Sequence, residues 1–276
     1  MSDSTCKREN SPSTKRLIGV GGRIKSGKNS AANFIAGINL VTHGIIEEFK
    51  SNEDGSISVD NQRVNVNDIA PSFVKLYGYA DGLKHIVCDL FNLNVADAFG
   101  SDVDKNKPTH ICWENMPGIM TRKDLFQATK KFVEKRESLL GMRDHGFSVY
   151  YHEPGPMSIR DILQYFGTEV CRKIYGNCWI NYLMNQIQRD SPKIAIIYDC
   201  RFDNEVDAIK QKGGLCLYLK RYIPVSVSEH ASENGFVHFN QWDAMIDNQD
   251  CEDVRCLNRV LYESLKDLEV FTKIND

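Results

Sequence analysis

The segment Gly22-Arg23-Ile24-Lys25-Ser26-Gly27-Lys28-Asn29-Ser30 constrains this chain more than any other. It fits the pattern G-x-x-x-x-G-K. The apolar run Leu17-Ile18-Gly19-Val20 precedes it, and Ala31, Phe34, Ile35 and Ile38 follow at spacings of three and four. A strand that passes through a glycine turn into a helix points successive backbone N–H groups into one concavity, and the helix N-terminus adds the positive end of its dipole. Such a loop suits phosphate groups, and the lysine can reach the β and γ oxygens of a nucleoside triphosphate. Gly22, Lys25, Ser26, Gly27, Lys28, Asn29 and Ser30 are therefore the candidate ATP-binding residues. One position departs from the pattern: Asn29 stands where Ser or Thr normally contacts Mg²⁺, which leaves that contact to the Asn29 carbonyl oxygen or to Ser30. Arg23 and Lys25 are either solvated loop cations or face a second anion.

Beyond the loop, strand and helix signals alternate. Ile57 and Val59 suggest a hairpin within the polar stretch 51–67, and residues 68–92 read as helical, with Leu83, Ile86, Val87 and Leu90 as an apolar stripe. Residues 100–157 are broken by prolines and glycines and are expected to form an insertion or lid. Inside it an amphipathic helix is expected from Thr121 to Leu140, where Thr121 and Asp124 have capping-box spacing. Ser158 and Asp161 repeat that spacing and open a helix with Ile159, Ile162, Leu163, Phe166 and Val170 inward. A break at Gly176-Asn177 leads to a helix bearing Trp179, Leu183 and Ile187. The run Ile194-Ala195-Ile196-Ile197-Tyr198 is too apolar for a half-exposed strand and fits a parallel strand covered on both faces. A helix over 203–212, a strand over 215–219 and a closing helix over 253–271 complete an α/β pattern with helices on both faces of a sheet.

Two further groups of residues carry chemistry. Asp199 ends the apolar run at a strand tip, a Walker-B-like placement from which a carboxylate can hold Mg²⁺ directly or through water. Arg201, two residues on, is either a phosphate contact or the structural partner of Asp199. Arg160 and Gln164 lie one helical turn apart, opposite the apolar stripe, while Gly167 and Thr168 are unusual inside a helix and suggest close approach of another group. Arg172 follows on the same helix. Trp179 is either a core residue or a platform for a base.

Composition excludes other classes. With 34 basic and 37 acidic residues the net charge is −3, so no basic track suits a nucleic acid polymer. The nine cysteines form no C-x-x-C and no zinc spacing, as expected of reduced packing thiols. No apolar run is long enough to span a membrane, and the polar residues 1–16 are expected to form a disordered tail ahead of one domain over 17–276. A cytoplasmic location is expected from these features, that of the host cell if the chain is viral.

Taken together the motifs resemble those of phage-type deoxynucleoside monophosphate kinases. Gly22 to Ala32 is similar to the phosphate loop GxxxSGKDTxA, a family that also lacks Ser or Thr directly after the lysine, although Asn29 replaces its Asp. Tyr79-Ala80-Asp81-Gly82-Leu83-Lys84 looks like FADPLK with glycine for proline. Ser158 to Trp179 is similar to R-x-x-L-Q-x-x-G-T-E…W, and Asp199 to Gly214 to DvRFpNEa…GG. His230-Ala231-Ser232-Glu233 and Ile246-Asp247-Asn248 fit its H-x-S-E and I-x-N marks. The resemblance implies an adenylate-kinase-like P-loop NTPase fold, a three-layer α/β sandwich on a parallel sheet with a helical insertion or lid. It implies ATP and Mg²⁺ as cofactors and small nucleotides as partners; a homodimer stays open. Lys28, Arg160, Asp199 and Arg201 would be catalytic. Arg23, Lys84, Arg160, Gly167, Thr168, Arg172, Trp179 and Asp199 would hold the acceptor nucleotide, and Asp199, Asn29 or Ser30 the metal. Two rivals remain at this point: a P-loop kinase for another phosphorylated acceptor, such as phosphomevalonate or dephospho-coenzyme A, and a nucleotide-binding regulator that phosphorylates nothing.

Overall fold

The computed structural model describes residues 16–23, 25–120, 150–221, 241–268 and 270–274. The helix expected over 121–140 and the H-x-S-E mark lie outside these residues, as does the expected tail apart from Arg16, which opens the first strand. The chain divides into two compact units, one of residues 1–82 with 177–276 and one of residues 83–176. The insertion expected over 100–157 falls within the second.

The first unit begins with β1 (Arg16–Gly22), α1 (Lys28–Thr42), the short strands β2 (Lys50–Ser51), β3 (Ile57–Val59) and β4 (Gln62–Val64), α2 (Val66–Ile69) and β5 (Val74–Tyr77). α3 (Tyr79–Phe91) carries the division between the units at Gly82. The second unit holds α4 (Val95–Phe99), α5 (Asp102–Lys105), β6 (Pro108–Cys112), β7 (Ile119–Met120), β8 (Tyr150–Tyr151), β9 (Pro156–Ser158) and α6 (Ile159–Gln164), which widens into a π-helix over Tyr165–Arg172. The chain returns to the first unit with α7 (Cys178–Asp190), β10 (Ile194–Cys200), α8 (Asp203–Gln211), β11 (Leu215–Lys220), β12 (Ala244–Asp247) and α9 (Val254–Leu265).

The central sheet has the order β12-β11-β1-β10-β5, and every pairing in it is parallel. Successive strand residues point to opposite faces, and here each face finds helices. Ile18, Val20, Ile194, Ile196, Leu217, Leu219 and Ile246 meet Ala31, Phe34, Ile35 and Leu40 of α1 and Leu257, Leu261 and Leu265 of α9. On the other face Leu17, Ala195, Ile197 and Cys216 meet Ile180, Leu183 and Ile187 of α7 and Val206 and Ile209 of α8. Burying one such side chain contributes roughly 1.5–3 kcal/mol, so the three layers hold because both faces of β1 and β10 are apolar. The expected α/β sandwich with a parallel sheet is what forms.

The structure corrects three details. Residues 68–92 are not one helix, because Val74–Tyr77 is the edge strand β5, paired with β10. Four residues with a lysine among them carry too little periodicity to separate strand from helix. Leu90 is 63% exposed rather than part of the buried stripe, and Cys88 is buried in its place. α9 ends at Leu265 rather than near 271. The second unit has its own apolar clusters, built on Val87, Met116, Met157, Ile162 and Tyr165 and on Cys88, Ala98 and Ile159. No helix among the described residues is long and apolar enough to cross a membrane. The cysteines among these residues are all free thiols, and burial pushes Cys200 and, to about 12, Cys216 upward, so both stay protonated and unreactive.

Candidate active site

In an open parallel sheet, ligands bind beyond the carboxyl ends of the strands where the strand order reverses. Here the chain leaves β1 toward β5 on one side and crosses from β10 to β11 on the other, so the reversal lies at β1 and β10. The loop after β1 is the glycine segment, and the tip of β10 carries Asp199.

Glycine is required at both ends of that loop. Gly22 has φ +148°, and a Cβ there would lie 2.6 Å from Ser26 Oγ and 2.7 Å from the Leu219 carbonyl oxygen. Gly27, immediately before α1, has φ +90° and would bring a Cβ to 3.0 Å from Leu257 Cδ2. α1 has no side-chain cap and no acid in its first turn, so its positive end is left to an outside anion. The Lys28 ammonium folds over the loop and donates to the carbonyl oxygens of Gly22 at 2.7 Å and Arg23 at 2.6 Å. Arg23, Lys25 and Asn29 are exposed. Ser30 turns elsewhere: its Oγ lies 1.9 Å from where a Cβ on Gly55 would stand, in the turn between β2 and β3. Ser26 is fully buried, and its carbonyl accepts a hydrogen bond from Asn248 Nδ2 at 2.8 Å.

Asp199 has an occupation the sequence did not disclose. Pairing of β10 with β1 slips by one residue around Tyr198 and Asp199, since Gly19 pairs with Ile197 but Gly21 with Cys200. Such a bulge re-aims side chains. The Asp199 carboxylate accepts from the backbone N–H of Tyr79 at 2.6 Å and of Ala80 at 3.1 Å, capping α3 from the neighbouring strand. Burial pushes this carboxyl above the usual carboxylate range, and Asp81 adds to the rise while the Arg201 charge and the two N–H donors oppose it. Among the described residues no ion pair joins Asp199 to Arg201. The backbone N–H of Arg201 and of Phe202 instead donate to the buried Glu205 carboxylate at 2.7 and 3.2 Å. Tyr198 donates its hydroxyl to Asp81 at 2.5 Å, and burial raises that phenol well above its ordinary value.

Asp199→Asn tests this double duty. The amide keeps one acceptor and turns an NH₂ group against the other backbone N–H. Leaving a buried donor unpaired costs about 1–3 kcal/mol, so Tm is expected to fall by several degrees. If the carboxylate also serves Mg²⁺, the Mg²⁺ concentration for half-maximal activity rises as well. A wild-type Tm would remove the cap as a stabilising contact, and an unshifted Mg²⁺ titration would remove the metal role.

The second unit holds the other sequence-selected residues. Ser158 and Asp161 form the expected reciprocal cap on α6, with Asp161 N–H to Ser158 Oγ at 3.1 Å and Ser158 N–H to Asp161 Oδ2 at 2.9 Å. Arg160 rises from this first turn and pairs with Asp102 Oδ1 at 2.5 Å, while its Nε is buried without a hydrogen-bond partner. What closely approaches Gly167 is Leu83, whose Cδ2 lies 2.5 Å from the position of an added Cβ. Gly167 and Thr168 fall within the π-helical turn, a geometry that recurs at functional sites. The Lys84 ammonium lies 4.2 Å from the Phe99 ring centre, and Arg172 and Thr168 are half-buried. In the first unit Trp179 is only 6% exposed.

No cluster of three His, Cys, Asp or Glu side chains able to hold a metal occurs among the described residues. The donors present suit Mg²⁺ in another way, since that ion takes one or two protein oxygens and completes its shell with water and substrate phosphates. Asn29 is the exposed donor on the loop, and Asp199 the buried one.

A five-stranded parallel sheet between helical layers, with a glycine loop joining its middle strand to the following helix, defines a P-loop NTPase-like α/β protein. A sequence profile of the deoxynucleotide monophosphate kinase family matches residues 16–255, and the chain belongs to that family. It is 32% identical over 114 residues to the deoxynucleoside-5'-monophosphate kinase of Escherichia phage T5, an overlap covering 38% of this chain and 44% of the relative.

Proposed function

We propose that the protein transfers the γ-phosphate of ATP to a deoxynucleoside monophosphate, giving the diphosphate. The observation that carries this reading is the family match over residues 16–255, which includes both the glycine loop and the Asp199 strand tip. The phage relative, named for the same chemistry, supports it.

The acceptor is a phosphate monoester whose oxygen is already a competent nucleophile near neutral pH, so no strong general base is needed. Catalysis then rests on alignment and on neutralising charge. The Gly22–Ser30 loop would hold the ATP phosphates, with Lys28 exchanging its loop carbonyls for phosphate oxygens, which accept more strongly because they are charged. Arg160 would grip the acceptor phosphate, with Arg172, Arg201, Arg23 and Lys84 as further cations. Gly167, Thr168 and Trp179 would border its nucleoside. Mg²⁺, held by Asn29 and by Asp199 through water, would neutralise charge on the transferring phosphates. Residues 100–157 would act as a lid that excludes water from the transfer.

A coupled assay of ADP release with ATP, Mg²⁺ and, in turn, each deoxynucleoside or ribonucleoside monophosphate, phosphomevalonate, dephospho-coenzyme A or no acceptor tests the reading. Acceptor-dependent release is expected with at least one deoxynucleotide. Release only with phosphomevalonate or dephospho-coenzyme A, or release that ignores every acceptor, would overturn it.

A further inference from the structure

Asn248 follows the edge strand β12 and is 1% exposed. Its backbone is fixed twice: its N–H donates to the Lys220 carbonyl at 3.1 Å, and its own carbonyl accepts from the Cys251 N–H at 3.2 Å. From this anchored point the side-chain Nδ2 donates to the Ser26 carbonyl at 2.8 Å, across 222 residues of sequence. The amide Oδ1 is buried without a hydrogen-bond partner, so the Nδ2 bond is the polar contact this side chain supplies. Leu257 closes the same place from α9, where its Cδ2 lies 3.0 Å from the position of a Cβ on Gly27.

The Ser26 carbonyl and the Gly27 N–H are opposite edges of one planar trans peptide. Gly27, at φ +90°, has no Cβ to restrict rotation of that plane. Holding the carbonyl on the Asn248 side therefore fixes the N–H on the opposite edge of the peptide plane, away from Asn248. We infer that Asn248 is a positioning residue for phosphate binding, which orients the Ser26–Gly27 peptide so that the loop is preformed before nucleotide arrives. This rests on the reading of Gly22–Ser30 as the triphosphate site. A loop released from this tie populates its binding-competent form less, and apparent affinity falls by the same fraction.

The test is calorimetric titration of the full chain and of Asn248→Ala with Mg-ATP and with Mg-tripolyphosphate, which carries the phosphates without base or sugar. Loss of one hydrogen bond on the scale of about 1.4 kcal/mol corresponds to a Kd about tenfold weaker, expected for both ligands. Asn248→Asp, which sets a carboxylate against the carbonyl, is expected to weaken both further. The KM for acceptor at saturating ATP is expected to stay within about twofold. If either variant fails to fold, Asn248→Ser supplies the comparison. Unchanged ATP affinity in a folded variant would overturn the inference and leave the triphosphate site standing. Weaker ATP binding with unchanged tripolyphosphate binding would also overturn it, moving Asn248 to the base. A wild-type protein that binds neither ligand would overturn both.

Discussion

Arg160→Ala is expected to lower kcat/KM for a deoxynucleoside monophosphate by about 10³-fold, with ATP hydrolysis in the absence of acceptor changing little. Arg160 stands in the capped first turn of α6, so its backbone is held by the Ser158–Asp161 box rather than by its own side chain. Its partner Asp102 is 62% exposed, and a pair that open to water contributes about 0–1 kcal/mol. The fold should therefore survive the substitution, with a Tm within a few degrees of wild type. A phosphate monoester outcompetes such a carboxylate because it offers more charge and a geometry that matches the guanidinium fork. Arg160→Lys is expected to recover only part of the loss, since a point charge cannot engage two oxygens at once. An Arg160→Ala protein that phosphorylates acceptor at the normal rate would make the Asp102 pair a surface contact and end the assignment.

Lys28→Ala is expected to reduce turnover by about 10²-fold or more, the scale for losing one charge-stabilising donor. Of the two carbonyls that hold the ammonium, that of Arg23 is exposed and that of Gly22 part-buried, so water can replace at least the first contact. Circular dichroism and Tm should change little. The loss should appear in kcat more than in KM for ATP, because negative charge shifts along the transferring phosphates during the reaction. Near-wild-type turnover in a folded Lys28→Ala protein would show that the loop lysine takes no part.

What was legible in the sequence was local. The loop and its helix are contiguous, and β10 announces itself because its run Ile194–Ile197 is buried on both faces and so is apolar at each position. The capping box at Ser158 and Asp161 spans four residues and forms as read. What stayed hidden joins distant segments. Asp199 could be recognised as a strand-tip acid, but its bonds to Tyr79 and Ala80 cross 120 and 119 residues, and a one-residue slip in pairing aims it there. Asn248 appeared only as a family mark; its grip on Ser26 became visible once β12 was set at the edge of the sheet. β5 was missed because Val74–Tyr77 is four residues long and borders a helix of similar composition.

The order of the sheet also dictates when the protein can be assembled on the ribosome. Among the described residues β1 pairs with β10 and β11 alone, so Arg16 waits for Ile194 and Ile18 for Leu215. At about 5–20 residues per second, that delay of about 180 residues leaves the first strand without neighbours for roughly 10–35 s of synthesis. An unpaired apolar strand invites association with other nascent chains. The sequence Gly19-Val20-Gly21-Gly22 blunts that hazard, because glycine lowers the tendency of a lone segment to join foreign sheets. Gly22, which shapes the phosphate loop, thus also belongs to the run that keeps the newborn strand a poor partner for foreign sheets until its late-made neighbours emerge.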